Sequence, residues 1–215
     1  MSYLTIKDTA SATFEEKKSI FIGNVKRIYT EEEAKTFISE IKAKHKEASH
    51  NVYAYCIGEN MEIQRYSDDG EPQGTAGVPV LEVIKKNLIT DTVVVVTRYF
   101  GGTLLGAGGL VRAYSKTAAS TIKESGIIEK VKGHEVLITI EYELLGKLQY
   151  LFAQKQWHIE EINYADKVEL KLYCELPNAE VIKKEVFNVS SGKAEFNIKE
   201  EKYYFKLEHR LYEDK

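Results

Sequence analysis

The chain is poor in cysteine, has no long apolar run and carries no excess of positive charge. Each shortage removes a class of protein. Only two cysteines occur in 215 residues, Cys56 and Cys174, far apart and without metal-ligand spacing. They exclude a disulfide framework and point to a reducing cytoplasm. No apolar stretch approaches the roughly 20 residues that a bilayer span needs, so no membrane partner is expected. The start, Met1-Ser2-Tyr3-Leu4-Thr5-Ile6-Lys7-Asp8, lacks the basic region and apolar run of a secretory signal. There is no internal repeat and no low-complexity segment.

Charge is close to balanced, 30 Lys and Arg against 33 Asp and Glu. It divides at Gly133: residues 1–132 hold 18 basic and 17 acidic side chains, a net of +1, and residues 133–215 hold 12 and 16, a net of −4. Composition therefore gives no sign of a strongly basic nucleic-acid-binding domain, and any anion binding must be local.

The hydrophobic fraction of 43% is enough to build real cores, and the length suits two domains. Residues 13–28 have strand character. Thr30 starts a helix, with Glu33 completing a capping box and Ala34, Phe37, Ile38 and Ile41 on one face. Strands follow at 51–58 and 61–66, and a second helix starts near Thr75 with Pro79 in its first turn. Residues 92–99 do not alternate, which predicts a strand buried on both faces. A helix runs over 108–125 and stops at Gly126. Beyond that the rhythm changes to strand 135–141, helix 144–156, strand 157–163, an alternating strand from Val168 to Cys174, helix 178–189, and one or two strands over 194–207. The order is βαββαβ, a ferredoxin-like unit. The expected organisation is a two-domain α+β chain, with domains 1–132 and 133–215 and an exposed junction near Lys130–Gly133.

Most of the chemistry sits in residues 65–116. Arg65 leads into an acidic turn, Ser67-Asp68-Asp69-Gly70-Glu71-Pro72. After the strand comes a loop with Gly101, Gly102, Gly106, Gly108 and Gly109, which runs into a helix carrying Arg112 and Lys116. Strand, glycine loop and helix start bring backbone N–H groups close to an anion. The expected anion or nucleic-acid site is therefore formed by these glycines with Arg98, Arg112 and Lys116. The competing explanation is tight packing of helix on sheet with turns at positive φ. The pattern is neither a P-loop, since G-K-[ST] is missing, nor a G-x-G-x-x-G fingerprint.

Asp68, Asp69 and Glu71 are close enough in sequence to share a hard cation or a proton, but a turn role suits Asp, Gly and Pro better. With no fourth oxygen ligand in sight, no metal is expected. His50 precedes Tyr53 and Tyr55 and is a candidate base or stacking group, although scaffold hydrogen bonding is the commoner fate. His45 ends a charged helix and is read as solvated. Spacing supports no Ser-His-Asp or Cys-His arrangement, so no catalytic residue is named. No cofactor is expected.

The segments KKSIFIGNV, ASHNVYAY, YSDDGEPQGTAGVP and VVVVTRYFGGTLLGAGGLVRAY resemble the IMPACT family, in particular its bacterial YigZ-type members. The resemblance covers roughly residues 10–125, and the long motif pair is highly specific. It implies an N-terminal domain of the ribosomal protein S-five domain 2-like fold, then a ferredoxin-like domain similar to the last domain of elongation factor G. Eukaryotic relatives restrain a stress kinase that phosphorylates a translation initiation factor, with an added RWD domain. Starting directly at the shared domain shifts the expectation for this chain away from that kinase. What remains is a non-enzymatic regulator of translation or stress response that binds the ribosome, a translation factor or RNA. His50, Arg65, Asp68, Asp69, Glu71 and Thr75 belong to the motif without an assigned role. The glycine loop is also loosely similar to that of GHMP-type kinases. That supplies the alternative, an enzyme acting on a phosphorylated small molecule or nucleotide, with a phosphate-bearing ligand. Nothing in the sequence speaks to the oligomeric state.

Overall fold

The computed structural model describes residues 2–214 and divides into two compact units, Tyr3–Ile128 and one that begins at Glu129 and takes in Ser2. The chain is α+β, with two sheets and five α-helices among the described residues.

In the first unit, β1 (Ser2–Ile6) makes a bridge from Leu4 to Ile89. β2 (Ala10–Glu16) and β3 (Ser19–Arg27) form a hairpin, followed by α1 (Glu31–Lys44), β4 (His50–Ile57), β5 (Ile63–Ser67), α2 (Gly77–Lys86), β6 (Thr92–Tyr99) and α3 (Ala107–Ser125). The sheet order is β2-β3-β6-β4-β5, and every neighbouring pair is antiparallel. Helices cover both faces. Val93 and Val95 of β6 pack with Phe37, Ile38 and Ile41 of α1. Val94 and Val96 pack with Val80 and Ile84 of α2 and with Leu110 and Tyr114 of α3. That explains the unbroken valine run: both sides of the pleat meet a hydrophobic layer.

Thr30 caps α1, its hydroxyl accepting from the Glu33 N–H at 3.1 Å, and the Glu33 carboxylate accepts from the Tyr29 N–H. α2 begins at Gly77 rather than at Thr75. The Thr75 hydroxyl donates back to the Pro72 carbonyl at 2.6 Å, so it closes the preceding turn instead of capping the helix.

The second unit follows the βαββαβ order: β7 (Ile127–Ile140), a 3-10 turn at Tyr142–Leu144, α4 (Leu145–Lys155), β8 (Glu161–Tyr164), β9 (Val168–Glu175), α5 (Leu176–Ser190) and β10 (Glu195–Ile198). β10 pairs β7, β7 pairs β9 and β9 pairs β8, all antiparallel, which is the ferredoxin-like sheet order. β11 (Lys202–Leu207) continues the β10 edge along the earlier half of β7, and β12 (Arg210–Tyr212) pairs β11. α4 and α5 cover one face, where Val136, Ile138, Leu170 and Leu172 meet Leu148, Phe152, Ile182 and Val186. β7 runs without a break through Lys130–Gly133, the stretch expected to be an exposed junction. The physical reason is pairing on both sides: Gly133 lies opposite Glu175 of β9 and Lys202 of β11.

Candidate functional site

One end of the first unit gathers the residues that the sequence marks. Lys17 and Lys18 form the turn between β2 and β3 with φ of 46° and 66°. Both lie in the left-handed region of a two-residue hairpin turn, where Asn-Gly is the usual choice. The glycine loop packs on this turn. A Cβ at Gly101 would stand 2.1 Å from the Lys18 carbonyl carbon, and the Gly101 N–H donates to Ser19 Oγ at 3.1 Å. Close approach therefore demands Gly101. Gly102 and Gly106 have φ of 80° and 70°, so turn geometry explains them as well.

Gly108 is different. A Cβ there would meet nothing nearer than Arg112 Nη1 at 3.7 Å, and its φ is not positive. Folding does not require this glycine. Gly109 is intermediate, with Leu105 Cβ at 3.0 Å. No side chain caps the start of α3 at Gly106, which leaves the first-turn N–H groups open to whatever lies outside.

A cleft of about 220 Å³ flanks this helix start, lined by Lys17, Arg112 and Lys116 together with Glu16, Phe14 and Gly109. The Lys116 ammonium sits 4.2 Å from the centre of the Phe14 ring. Arg112 and Lys116, one helical turn apart, thus share a cleft with a lysine almost a hundred residues away in sequence.

Arg98 does not join them. Its side chain is only 6% exposed, and Nη1 donates to Glu71 Oε1 at 2.7 Å. The guanidinium lies 5.5 Å from the Phe21 and Phe100 ring centres. Its charge is matched internally because β6 is covered on both faces. Glu71 Oε1 also accepts from the Tyr114 hydroxyl at 2.7 Å. Burial first, and then that bond, hold the Tyr114 phenol far above its ordinary pKa, so it stays a donor. Arg98 and Glu71 line a second cavity of about 490 Å³, shared with His50, Phe100, Leu104 and the start of α3.

The acidic turn splits apart. Asp68 accepts from the N–H groups of Gly74, Ala76 and Gly77 at 2.9, 3.1 and 2.7 Å, so it caps the start of α2. Asp69 pairs with Lys42 at 2.7 Å and accepts from the Asn51 N–H at 2.6 Å. Glu71 turns inward. Among the described residues no group of three His, Cys, Asp or Glu side chains could hold a metal ion. Arg65 lies on the α1 side of the sheet, opposite Tyr55 in register and 3.6 Å from Glu31. It is not part of the cluster. His45 is not solvated either. Its Nδ1 bonds the Tyr99 hydroxyl at 2.9 Å, and burial, with the Lys44 charge second, lowers its pKa.

Helical spacing marks Tyr114 as core, and the Lys17-Lys18 pair reads in sequence as able to meet phosphates, with plain exposure the commoner case. No local signal shows that the Tyr114 hydroxyl completes the Arg98–Glu71 network. Nor does one show that Lys17 lines one cleft with Arg112.

Two family models match the chain: the Impact N-terminal domain at residues 17–122, and a domain of unknown function, DUF1949, at residues 138–193. The chain is 40% identical to the IMPACT family member YvyE of Bacillus subtilis, over 99% of this chain and 98% of that protein. It is 35% identical to the IMPACT family member YigZ of Escherichia coli, over 77% of this chain and 81% of that one. A crystal structure of a hypothetical protein, 29% identical, superposes with a TM-score of 0.59 over 93% of this chain and 98% of the other.

Proposed function

This chain belongs to the IMPACT family, and from that membership we propose that it is a non-enzymatic regulator of translation that meets the ribosome through RNA phosphates. The observation that carries the reading is the open start of α3 beside Lys17, Arg112 and Lys116. Three cations and a helix N-terminus on one surface suit a phosphate backbone, and neighbouring phosphates can be bound together. The acidic second unit is assigned a different task, contact with a protein partner or placement of the first unit.

Cosedimentation with ribosomes at two salt concentrations tests the reading. The chain should pellet with ribosomes at low salt and leave them as salt rises, because counterion release sets the affinity. Absence from the ribosomal pellet at low salt removes the reading. The enzyme alternative draws on His50 and Glu71 at the larger cavity. Nucleotide turnover that disappears in His50→Ala would favour it.

A further inference from the structure

The cavity of about 490 Å³ beside α3 holds two hydrogen-bond acceptors that phosphate binding does not use. His50 Nδ1 lies 2.8 Å from the Asp69 carbonyl oxygen. A carbonyl only accepts, so the bond puts the ring proton on Nδ1 and leaves Nε2 of the neutral imidazole as an acceptor. That Nε2 stands 3.9 Å from Glu71 Oε1. Glu71 receives both of its bonds, from Arg98 and Tyr114, on Oε1, which leaves Oε2 as the second acceptor. Two neighbouring acceptors call for a ligand edge with two neighbouring N–H donors.

The rest of the cavity suits a flat ring that carries an anion. Phe100 and Leu104 line the same space and are 48% and 84% exposed, large apolar groups left uncovered. The uncapped start of α3 forms another part of the wall. Arg98, more than nine-tenths buried, also lines the cavity, and its Nε has no hydrogen-bond partner.

We propose that this cavity binds a guanine nucleotide unit. Its N1–H and N2–H₂ groups donate to Glu71 Oε2 and His50 Nε2, the ring lies against Phe100, and the phosphate sits at the start of α3. Among the four RNA bases, only guanine has two adjacent donors on its Watson–Crick edge. Adenine and cytosine pair one donor with an acceptor, and uracil has a single donor between acceptors. The assignment rests on the reading that the first unit meets RNA, where an unstacked guanosine would supply the base. Free guanosine monophosphate offers the same chemistry.

The test uses the full chain and two kinds of probe: the four nucleoside monophosphates, and single-stranded heptamers that are all uridine or carry one central guanosine. Guanosine monophosphate should bind at least tenfold tighter than the other three. His50→Ala and Phe100→Ala, both at partly exposed positions outside the Arg98–Glu71 pair, should each weaken it several-fold. If RNA is the source, the heptamer with guanosine should gain a similar factor over the uridine heptamer. If only the free nucleotide gains, the site serves a small molecule. Equal affinity for all four monophosphates, or guanosine monophosphate binding untouched by both variants, overturns the proposal. Uridine heptamer binding that depends on Arg112 but shows no guanine preference sinks the cavity and spares the phosphate surface. Guanine preference without any RNA binding does the reverse.

Discussion

The two units bury their sheets differently, and the difference decides where charge can go. In the first unit, helices lie on both faces, so a polar group on β6 has no water to reach. Arg98 must find Glu71 inside. In the second unit, α4 and α5 lie on one face; the other carries a small cluster of Val131, Tyr204 and Leu211 with Tyr173, and beyond it polar positions such as Thr139, in register with Glu195 and Glu169. Ion pairs there, such as Lys171–Glu135, are half-buried, with both side chains still in reach of water. The first unit leaves one end unfinished, with an uncapped helix, lysines at positive φ and a glycine that folding does not need. Met61, Leu88 and Asp91 also have positive φ elsewhere in the unit, so what sets this end apart is the open helix start beside the lysines.

Each unit carries one buried cysteine, Cys56 in the first and Cys174 in the second, which gives a separate reporter for each. Burial pushes both thiols up to about 11, so neither should react with a thiol reagent at pH 8 in the native chain. The raised pKa sets a sign as well. The stabilisation from keeping each thiol protonated is complete below the ordinary value of 9.0 and is lost as pH rises through about 11.

The largest expected effect breaks the comparison at Arg98. Arg98→Ala leaves Glu71 buried without its cation, a loss of about 3–5 kcal/mol. Cys56 should become reactive at a markedly lower urea concentration while Cys174 keeps its wild-type profile. If both thiols shift together, the units unfold as one body, and the proposed division into domains 1–132 and 133–215 fails as an energetic statement.

Asp68→Ala comes next. The N–H groups of Ala76 and Gly77 at the start of α2, and of Gly74 in the turn before it, lose their acceptor, and about 2 kcal/mol is expected from losing such a cap. Thermal unfolding followed by helix signal checks it. A melting temperature unchanged from wild type would mean that water replaces the carboxylate.

Much of this fold was legible in the sequence because its signals are local. The Thr30–Glu33 box, the Val93–Val96 run and the alternation of Val168 to Cys174 each report their own surroundings. The site was legible only in part. Asp68, Asp69 and Glu71 are neighbours in sequence yet face three ways, because the turn places Asp68 over α2, Asp69 toward Lys42 and Glu71 under β6. Lys17 comes to line the same cleft as Arg112 through hairpin geometry that no spacing announces. The strand through Gly133 was hidden because partners more than forty residues downstream hold it in register.

The smallest effect is also the most discriminating between structure and function. Gly108→Ala places a methyl group in open space on a helix, where alanine is favoured by about 0.5–1 kcal/mol. The variant should be slightly more stable and should bind phosphate-bearing ligands less well, since the methyl group intrudes on the approach to the N–H groups. Gained stability with unchanged binding would show that the glycine serves neither purpose.

The central claim is that the unfinished end of the first unit, and not the second unit, holds RNA phosphates. Its most direct test is the salt dependence of single-stranded RNA binding by the full chain and by two triple variants. One removes Lys17, Arg112 and Lys116; the other removes Lys155, Lys171 and Lys202. For single strands, each lost phosphate contact reduces the slope of log affinity against log salt by about 0.7. The first variant should lose a slope of about 2 and most of its low-salt affinity, while the second stays close to wild type. An unchanged slope in the first variant, or an equal loss in both, would contradict the account.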